Sequence, residues 1–186
     1  MGTYKEIEGN LITLAQQGNF DVVIQGNNCF CIQGAGLAPQ FVKAFGSDKF
    51  WMERPEYKGD YNKMGQIDFM WVNPLNKEEQ DNIRNKTCTL AVVNCYSQYD
   101  VGSKNKNEIP LDYDALRLCL RKINKYFKGL RIGVPQIGCG LAGGDWNVVS
   151  TIIQEELKNC EAIVVIYNPP APPEFDRYAY LTGSIA

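Results

Sequence analysis

The sequence predicts an α/β protein in three layers, with a mixed central sheet covered by helices on both faces. Three observations carry this reading. Short apolar segments such as Asp21-Val22-Val23-Ile24 and Ala162–Tyr167 alternate along the chain with longer segments of helical period. Two glycine-rich loops, Gly34-Ala35-Gly36 and Gly138-Cys139-Gly140-Leu141-Ala142-Gly143-Gly144, each lie between a strand segment and a helical one. The 186 residues, 45% hydrophobic and 22% charged, suit a single domain with one filled core.

Taken in order, Tyr4–Glu8 reads as a short strand, Thr13–Gln17 as a brief helix capped by Thr13, and Asp21–Gln25 as a buried strand. Leu37–Phe45 has apolar residues at 37, 38, 41, 42, 44 and 45, a helical stripe ended by Gly46. Ser47–Gln66 carries Pro55, Gly59 and many polar side chains, and reads as a surface loop. Ile67–Val72 and Cys88–Tyr96 are strands joined by the charged, turn-rich stretch Asn73–Lys86, and Val101–Pro110 is a polar loop. Tyr113–Phe127 repeats apolar residues at 113, 116, 120, 123 and 127, an amphipathic helix closed by Gly129. Arg131–Val134 is a strand, Trp146–Leu157 a helix, and Ala162–Tyr167 the last strand, ended by Pro169-Pro170. Residues 173–186 receive no assignment.

Composition removes several functions. A net charge of −2 supplies no basic face for long nucleic acid. There is no apolar run of about 18 residues, and Met1-Gly2-Thr3-Tyr4-Lys5 lacks the apolar core of a signal peptide. A cytoplasmic protein without a membrane partner is expected. Seven cysteines without C-x-x-C spacing suit reduced, mostly buried thiols. The chain has no histidine, which rules out Ser-His-Asp and Cys-His catalysis and His-containing zinc sites. No metal and no cofactor are expected. Any catalysis must use carboxylates, amides, backbone groups, water or the substrate itself.

A glycine loop that feeds a helix presents backbone N–H groups at the positive end of the helix dipole, a site for phosphate. Two such loops in one small domain suit the two phosphates of a pyrophosphate. The plain alternative for each is a tight strand–helix turn. The second loop matches G-x-G-x-x-G, yet only 43 residues follow Gly143, too few to complete a two-half dinucleotide fold.

The motifs resemble those of the macro domains, which bind ADP-ribose. The resemblance runs through Gly9-Asn10-Leu11, then Val23-Ile24-Gln25-Gly26-Asn27-Asn28 followed by Gly34-Ala35-Gly36-Leu37. It continues through Val92-Val93-Asn94-Cys95-Tyr96-Ser97-Gln98 and closes on Pro135-Gln136-Ile137-Gly138-Cys139-Gly140-Leu141-Ala142-Gly143-Gly144-Asp145-Trp146. It covers roughly residues 1–170 and looks closest to the branch of the ADP-ribose-1″-phosphate phosphatases and terminal ADP-ribose-glutamate hydrolases. The resemblance implies an ADP-ribose pocket and removal of the 1″-phosphate from ADP-ribose-1″-phosphate. The alternatives it leaves are hydrolysis of ADP-ribosyl groups or O-acetyl-ADP-ribose, and a non-catalytic module that reads ADP-ribosylated macromolecules.

The resemblance also assigns roles. Asn10 stands where the family has an acidic residue for the adenine amino group, and its amide oxygen can accept the same bond; a turn asparagine is the alternative. Leu11 adds apolar contact. Asn28 matches the asparagine that binds the distal ribose, or else satisfies local backbone. Gly34, Ala35, Gly36, Ile137, Gly138, Cys139, Gly140, Leu141, Ala142 and Gly143 surround the pyrophosphate and distal ribose, and Tyr167 stacks on adenine or sits at the rim. The related hydrolases use a lysine after the middle strand and an aspartate in the second loop. Here Ser97-Gln98-Tyr99-Asp100 offers no lysine and the loop position is Ala142. Asp145 is the nearest carboxylate, as base or as helix cap. Cys139 lies where a helix N-terminus can lower a thiol pKa, or packs beneath the ligand.

Overall fold

Apolar side chains alternate between the two faces of the central strands, and that alternation sets the layers. The computed structural model describes residues 1–75, 87–101 and 108–169. Its strands are β1 (Thr3–Glu8), β2 (Val22–Asn28), β3 (Ile67–Val72), β4 (Leu90–Gln98), β5 (Arg131–Val134) and β6 (Glu161–Ile166). They form one sheet in the order β1-β6-β5-β2-β4-β3. All neighbours are parallel except β3, which runs antiparallel to β4 at one edge. The sheet is therefore mixed, as expected.

On one face Val23 of β2 and Val92 of β4 lie beneath Leu11 and Ala15 of α1 (Leu11–Gln16) and Phe41 and Phe45 of α2 (Ala38–Phe45). On the other, Val22, Ile24, Val93 and Cys95 lie beneath α3 (Tyr113–Tyr126) and α4 (Trp146–Glu156). Helix α2 is short and has no side-chain cap at its N-terminus. Packing holds it instead: Phe41 and Phe45 are fully buried and meet edge to face, ring centroids 5.5 Å apart.

Three expectations are corrected. The first helix starts at Leu11 and is capped by Asn10, whose side chain accepts from the Thr13 N–H; Thr13 lies inside the first turn. Ser47–Gln66 is not a surface loop. It winds through four short 3₁₀ turns (Ser47–Lys49, Trp51–Glu53, Pro55–Tyr57 and Tyr61–Lys63) and buries Ser47, Phe50, Glu53 and Lys63. Strands β2 and β4 also run on to Asn28 and Gln98, through polar residues that pair in the ladder. Most of the Asn73–Lys86 stretch and of the Val101–Pro110 loop, and all of 173–186, lie outside the described residues.

Asp21, just ahead of β2, ties that strand to β5. Its carboxylate accepts from the Arg131 backbone N–H at 2.9 Å, from Nε at 3.1 Å and from Nη2 at 2.9 Å. These hydrogen bonds hold the Asp21 carboxyl below its ordinary range, against a smaller opposing effect of partial burial. A depressed carboxylate stabilises the fold above its unfolded pKa of about 3.9. The contribution is lost as pH falls through the lower folded value. Asp21→Asn is expected to cost roughly 1 kcal/mol near neutral pH, a small figure because the pair is partly exposed. The difference from wild type should shrink toward zero once pH falls below that lowered folded value. Urea midpoints at neutral and acid pH check both.

Candidate functional site

The five parallel strands end on one side of the sheet, and a cleft opens there, where α/β sheets receive ligands. It measures about 390 Å³. Asn10 and Leu11 at the start of α1 form one wall, and Gly36, Leu37 and Gln40 at the start of α2 another. Pro135 and Gln136 beyond β5, with Val165 and Tyr167 from β6 and its exit, close the third side. Apolar side chains dominate this lining, and the polar ones are amides and a phenol.

The first glycine loop reaches the cleft through Gly36, and the second, Gly138–Gly144, lies beside it outside the lining. Gly34, Ala35 and Gly36 are exposed, and their N–H groups form no hydrogen bond among the described residues. The same holds for the N–H groups of Gly140, Leu141 and Ala142. The loops are neighbours: a β-carbon built on Gly36 would lie 3.9 Å from Leu141 Cδ1. Gly34 and Gly140 face open space, so backbone there is accessible to a ligand.

The second loop is braced from behind. Gly144 N–H donates to Gly138 O at 2.8 Å, and Gly143 N–H to Gly140 O at 3.0 Å. Leu111, which precedes α3, donates its N–H to Ala142 O at 3.2 Å. Its side chain fills the space where a β-carbon on Gly138 would lie, 2.7 Å away. Gly138 also has φ +73°, in the left-handed region.

Behind the first loop lies a buried polar layer on the α1/α2 face of β2 and β4. Gln25 Nε2 donates to Asn94 Oδ1 at 2.9 Å, Gln33 Oε1 at 3.1 Å and Ser47 Oγ at 3.2 Å. Ser47 Oγ donates to Gln33 Oε1 at 2.7 Å, and Asn94 Nδ2 donates to Ser47 O at 3.0 Å. Further along, Glu53 accepts from Asn27 Nδ2 and Tyr96 OH, both at 3.0 Å. Lys63, 1% exposed, donates to Met52 O at 2.7 Å, Cys29 O at 3.2 Å and Cys31 Sγ at 3.2 Å. Cys31 has φ +60°, and these contacts hold it there.

No family model matches the chain. An uncharacterized 17.5 kDa protein from the tk-vs intergenic region of Enterobacteria phage T4 is 26% identical over 173 residues, 89% of this chain and 97% of its own. Thermosipho africanus DarTG, solved in complex with ADP-ribose, superposes with a TM-score of 0.65 at 18% identity, over 92% of this chain and 43% of that one. The macrodomain of Mycobacterium tuberculosis DarG superposes with a TM-score of 0.61 at 20% identity, over 91% and 99%. This chain has the macrodomain fold.

The macrodomain cleft gathers Asn10, Leu11, Gly36 and Tyr167 along one wall or another, with Tyr167 58% exposed. Leu141 projects into solvent beside Gly36, while Ile137 and Ala142 turn into the core and leave only backbone for a ligand. Asn10 Oδ1 is already engaged, accepting from Thr13 N–H at 3.0 Å. Asn28 holds its own loop: Oδ1 accepts from Phe30 N–H at 3.0 Å and Ile32 N–H at 3.2 Å, and Nδ2 donates to Ile32 O at 2.7 Å. One amide hydrogen of Asn28 has no acceptor among the described residues, and Asn28 itself is buried and lies outside the cleft lining.

Asp145 caps α4, accepting from Asn147 N–H at 2.8 Å. Cys139 departs from the low-pKa setting. Burial pushes its thiol up to about 11, helped by the charge of Asp145, so it stays protonated at neutral pH. The sequence reading missed Gln33, Ser47, Glu53 and Lys63. The polar run Gln25–Asn28 after three Val and Ile residues was the signal for them, because polar groups at the end of a buried strand need buried partners.

Two glycines of the second loop, Gly138 and Gly140, should respond differently to alanine. Gly138→Ala meets Leu111 and a left-handed backbone, and is expected to cost about 1–3 kcal/mol. Gly140→Ala meets nothing and should change stability by less than about 0.5 kcal/mol. Denaturant unfolding of the two variants measures the contrast.

Proposed function

We propose that the cleft binds ADP-ribose or a close derivative. One observation carries the reading: two adjacent loops present unpaired backbone N–H groups beside an apolar slot that ends at Tyr167. The slot suits a nucleobase and its ribose, and the loops suit a pyrophosphate. The shared fold with DarTG, which was solved with ADP-ribose, supports the assignment.

The reaction we propose is hydrolysis of ADP-ribose-1″-phosphate to ADP-ribose and phosphate, with water as nucleophile. Loop N–H groups fixed in advance would stabilise the charge that builds on the transferring phosphoryl group, and Asn28 would orient the distal ribose through its remaining N–H. On this reading the chain would belong with the ADP-ribose-1″-phosphate phosphatases. Transfer through a lysine is disfavoured, since Ser97-Gln98-Tyr99-Asp100, at the end of β4 and just beyond it, holds no lysine and Ala142 occupies the loop. A second reading is a module that holds ADP-ribosylated partners without turnover. The capping role of Asp145 and the loop-holding role of Asn28 favour it, because both candidate groups already have structural work. The free thiols of Cys29, Cys31, Cys95, Cys119, Cys139 and Cys160 suit the reducing cytoplasm we propose as its location.

Calorimetry with ADP-ribose and AMP tests binding. ADP-ribose is expected to bind at least about tenfold more tightly, a difference of about 1.4 kcal/mol; equal affinities would remove the pyrophosphate from the account. Gly140→Val should abolish the difference while the circular dichroism spectrum stays native.

Phosphate release from ADP-ribose-1″-phosphate tests turnover. Asn28→Ala is expected to lower kcat on the order of 100-fold, whereas Asp145→Asn, which keeps a capping oxygen, should have a modest effect. Tight binding without phosphate release would favour the non-catalytic module.

A further inference from the structure

Lys63 is a buried cation that no ion pair holds among the described residues. A buried ammonium normally has a counter-charge. Nζ instead donates to Met52 O at 2.7 Å, Cys29 O at 3.2 Å and Cys31 Sγ at 3.2 Å, with the Tyr96 ring 4.6 Å away. Cys31 is the partner that can react. It is half-buried, whereas Cys29, Cys95, Cys119 and Cys160 are buried. Its backbone sits at φ +60°, and its thiol also donates to Met52 O at 3.6 Å, so the sulfur is held against the amine. Neither residue belongs to the cleft lining.

Glu53 is short of a donor. Its Oε1 accepts from Asn27 Nδ2 and Tyr96 OH, while Oε2 is buried without a partner among the described residues. At 7% exposure that is a costly state for a carboxylate oxygen. The same side chain acts on the Cys31 thiol. Burial pushes that thiol above its ordinary value, Lys63 opposes the rise, and the Glu53 charge adds to it. A hydroxyl added to the sulfur carries the donor that Oε2 lacks.

We propose that Cys31 and Lys63 form a peroxide-sensitive modification site that closes into a covalent sulfur–nitrogen link, a sulfenamide. The oxidant is hydrogen peroxide. The Cys31 thiolate attacks one peroxide oxygen: the S–O bond forms, the O–O bond breaks, and the other oxygen leaves as water with the proton the thiol gave up. The sulfur is oxidised by two electrons and the peroxide is reduced. Lys63, as the free amine after shedding a proton to water, then attacks that sulfur. The S–N bond forms, the S–O bond breaks, and the hydroxyl leaves as water with an amine hydrogen. One peroxide is consumed and two waters form. A dithiol reverses the link, restoring thiol and amine and becoming a disulfide. The site is independent of what the cleft binds.

Intact mass and peptide mapping of the full chain after hydrogen peroxide test this. The expected product is lighter by about two hydrogen masses. It carries linked peptides containing Cys31 and Lys63, and returns to its starting mass in dithiothreitol. Formation should quicken as pH rises, because the thiolate is the attacking species. Cys31→Ser should lose the link. Lys63→Met, checked for folding by circular dichroism, should leave a sulfenic acid at Cys31 that dimedone labels; in wild type, dimedone present during oxidation should take the place of the link. The wild-type masses decide even where a variant does not fold. Cys31 left unmodified while other thiols oxidise, Cys31 oxidised with Lys63 unlinked, or Cys31 joined to another cysteine each overturns the proposal.

Discussion

The first glycine loop of the candidate site hangs on a buried knot of amides at the end of β2. Gln25 sits at the centre, 2% exposed, and reaches across the sheet to Asn94 and up to Ser47 and Gln33. Gln33 immediately precedes the first glycine loop, and its side chain both accepts from Ser47 Oγ and donates to Ser47 O. A loop of Gly34-Ala35-Gly36 has no side chains of its own with which to hold a shape. The knot supplies what it lacks. Buried polar groups demand partners, so removing one member exposes the others to the full cost of an unmade bond, about 1–3 kcal/mol each.

Lys63 extends that constraint backward. Its three donors bind Met52 O, Cys29 O and Cys31 Sγ, which fixes the chain between β2 and Gln33 against the turns of residues 47–63. Asn28 braces the same stretch from the strand side. The second loop is held differently, by Leu111 beneath Gly138 and by hydrogen bonds inside the loop. Two unrelated supports thus bring two rows of unpaired N–H groups side by side. Donors fixed before a ligand arrives lose little conformational entropy on binding, which is why rigid loops suit an anionic ligand.

The layers of the fold were legible in the sequence because they follow from local periodicity. Val22-Val23-Ile24 and the stripe from Tyr113 to Phe127 announce their partners through spacing alone. The glycine loops were legible too, since glycine between a strand and a helix is a local signal. The burial of Ser47–Gln66 was not. Glu53 and Lys63 read as surface charges until Asn27, Tyr96 and the carbonyls of Cys29 and Met52, all distant in sequence from one or both, are placed beside them. The same limit applied to Asn10. Its residue type suggested a ligand contact, but the engagement of its oxygen by Thr13 depends on where the helix begins, and a shift of a few residues changes the answer.

The central claim is that unpaired loop N–H groups receive the pyrophosphate. Amide proton shifts and hydrogen exchange in the full chain, with and without ADP-ribose, test it most directly. The account predicts downfield shifts and slowed exchange at Gly36, Gly140, Leu141 and Ala142. Gly144, whose N–H already donates to Gly138 O, should change little in exchange. Saturable binding that leaves those four amides unshifted and unprotected would contradict it.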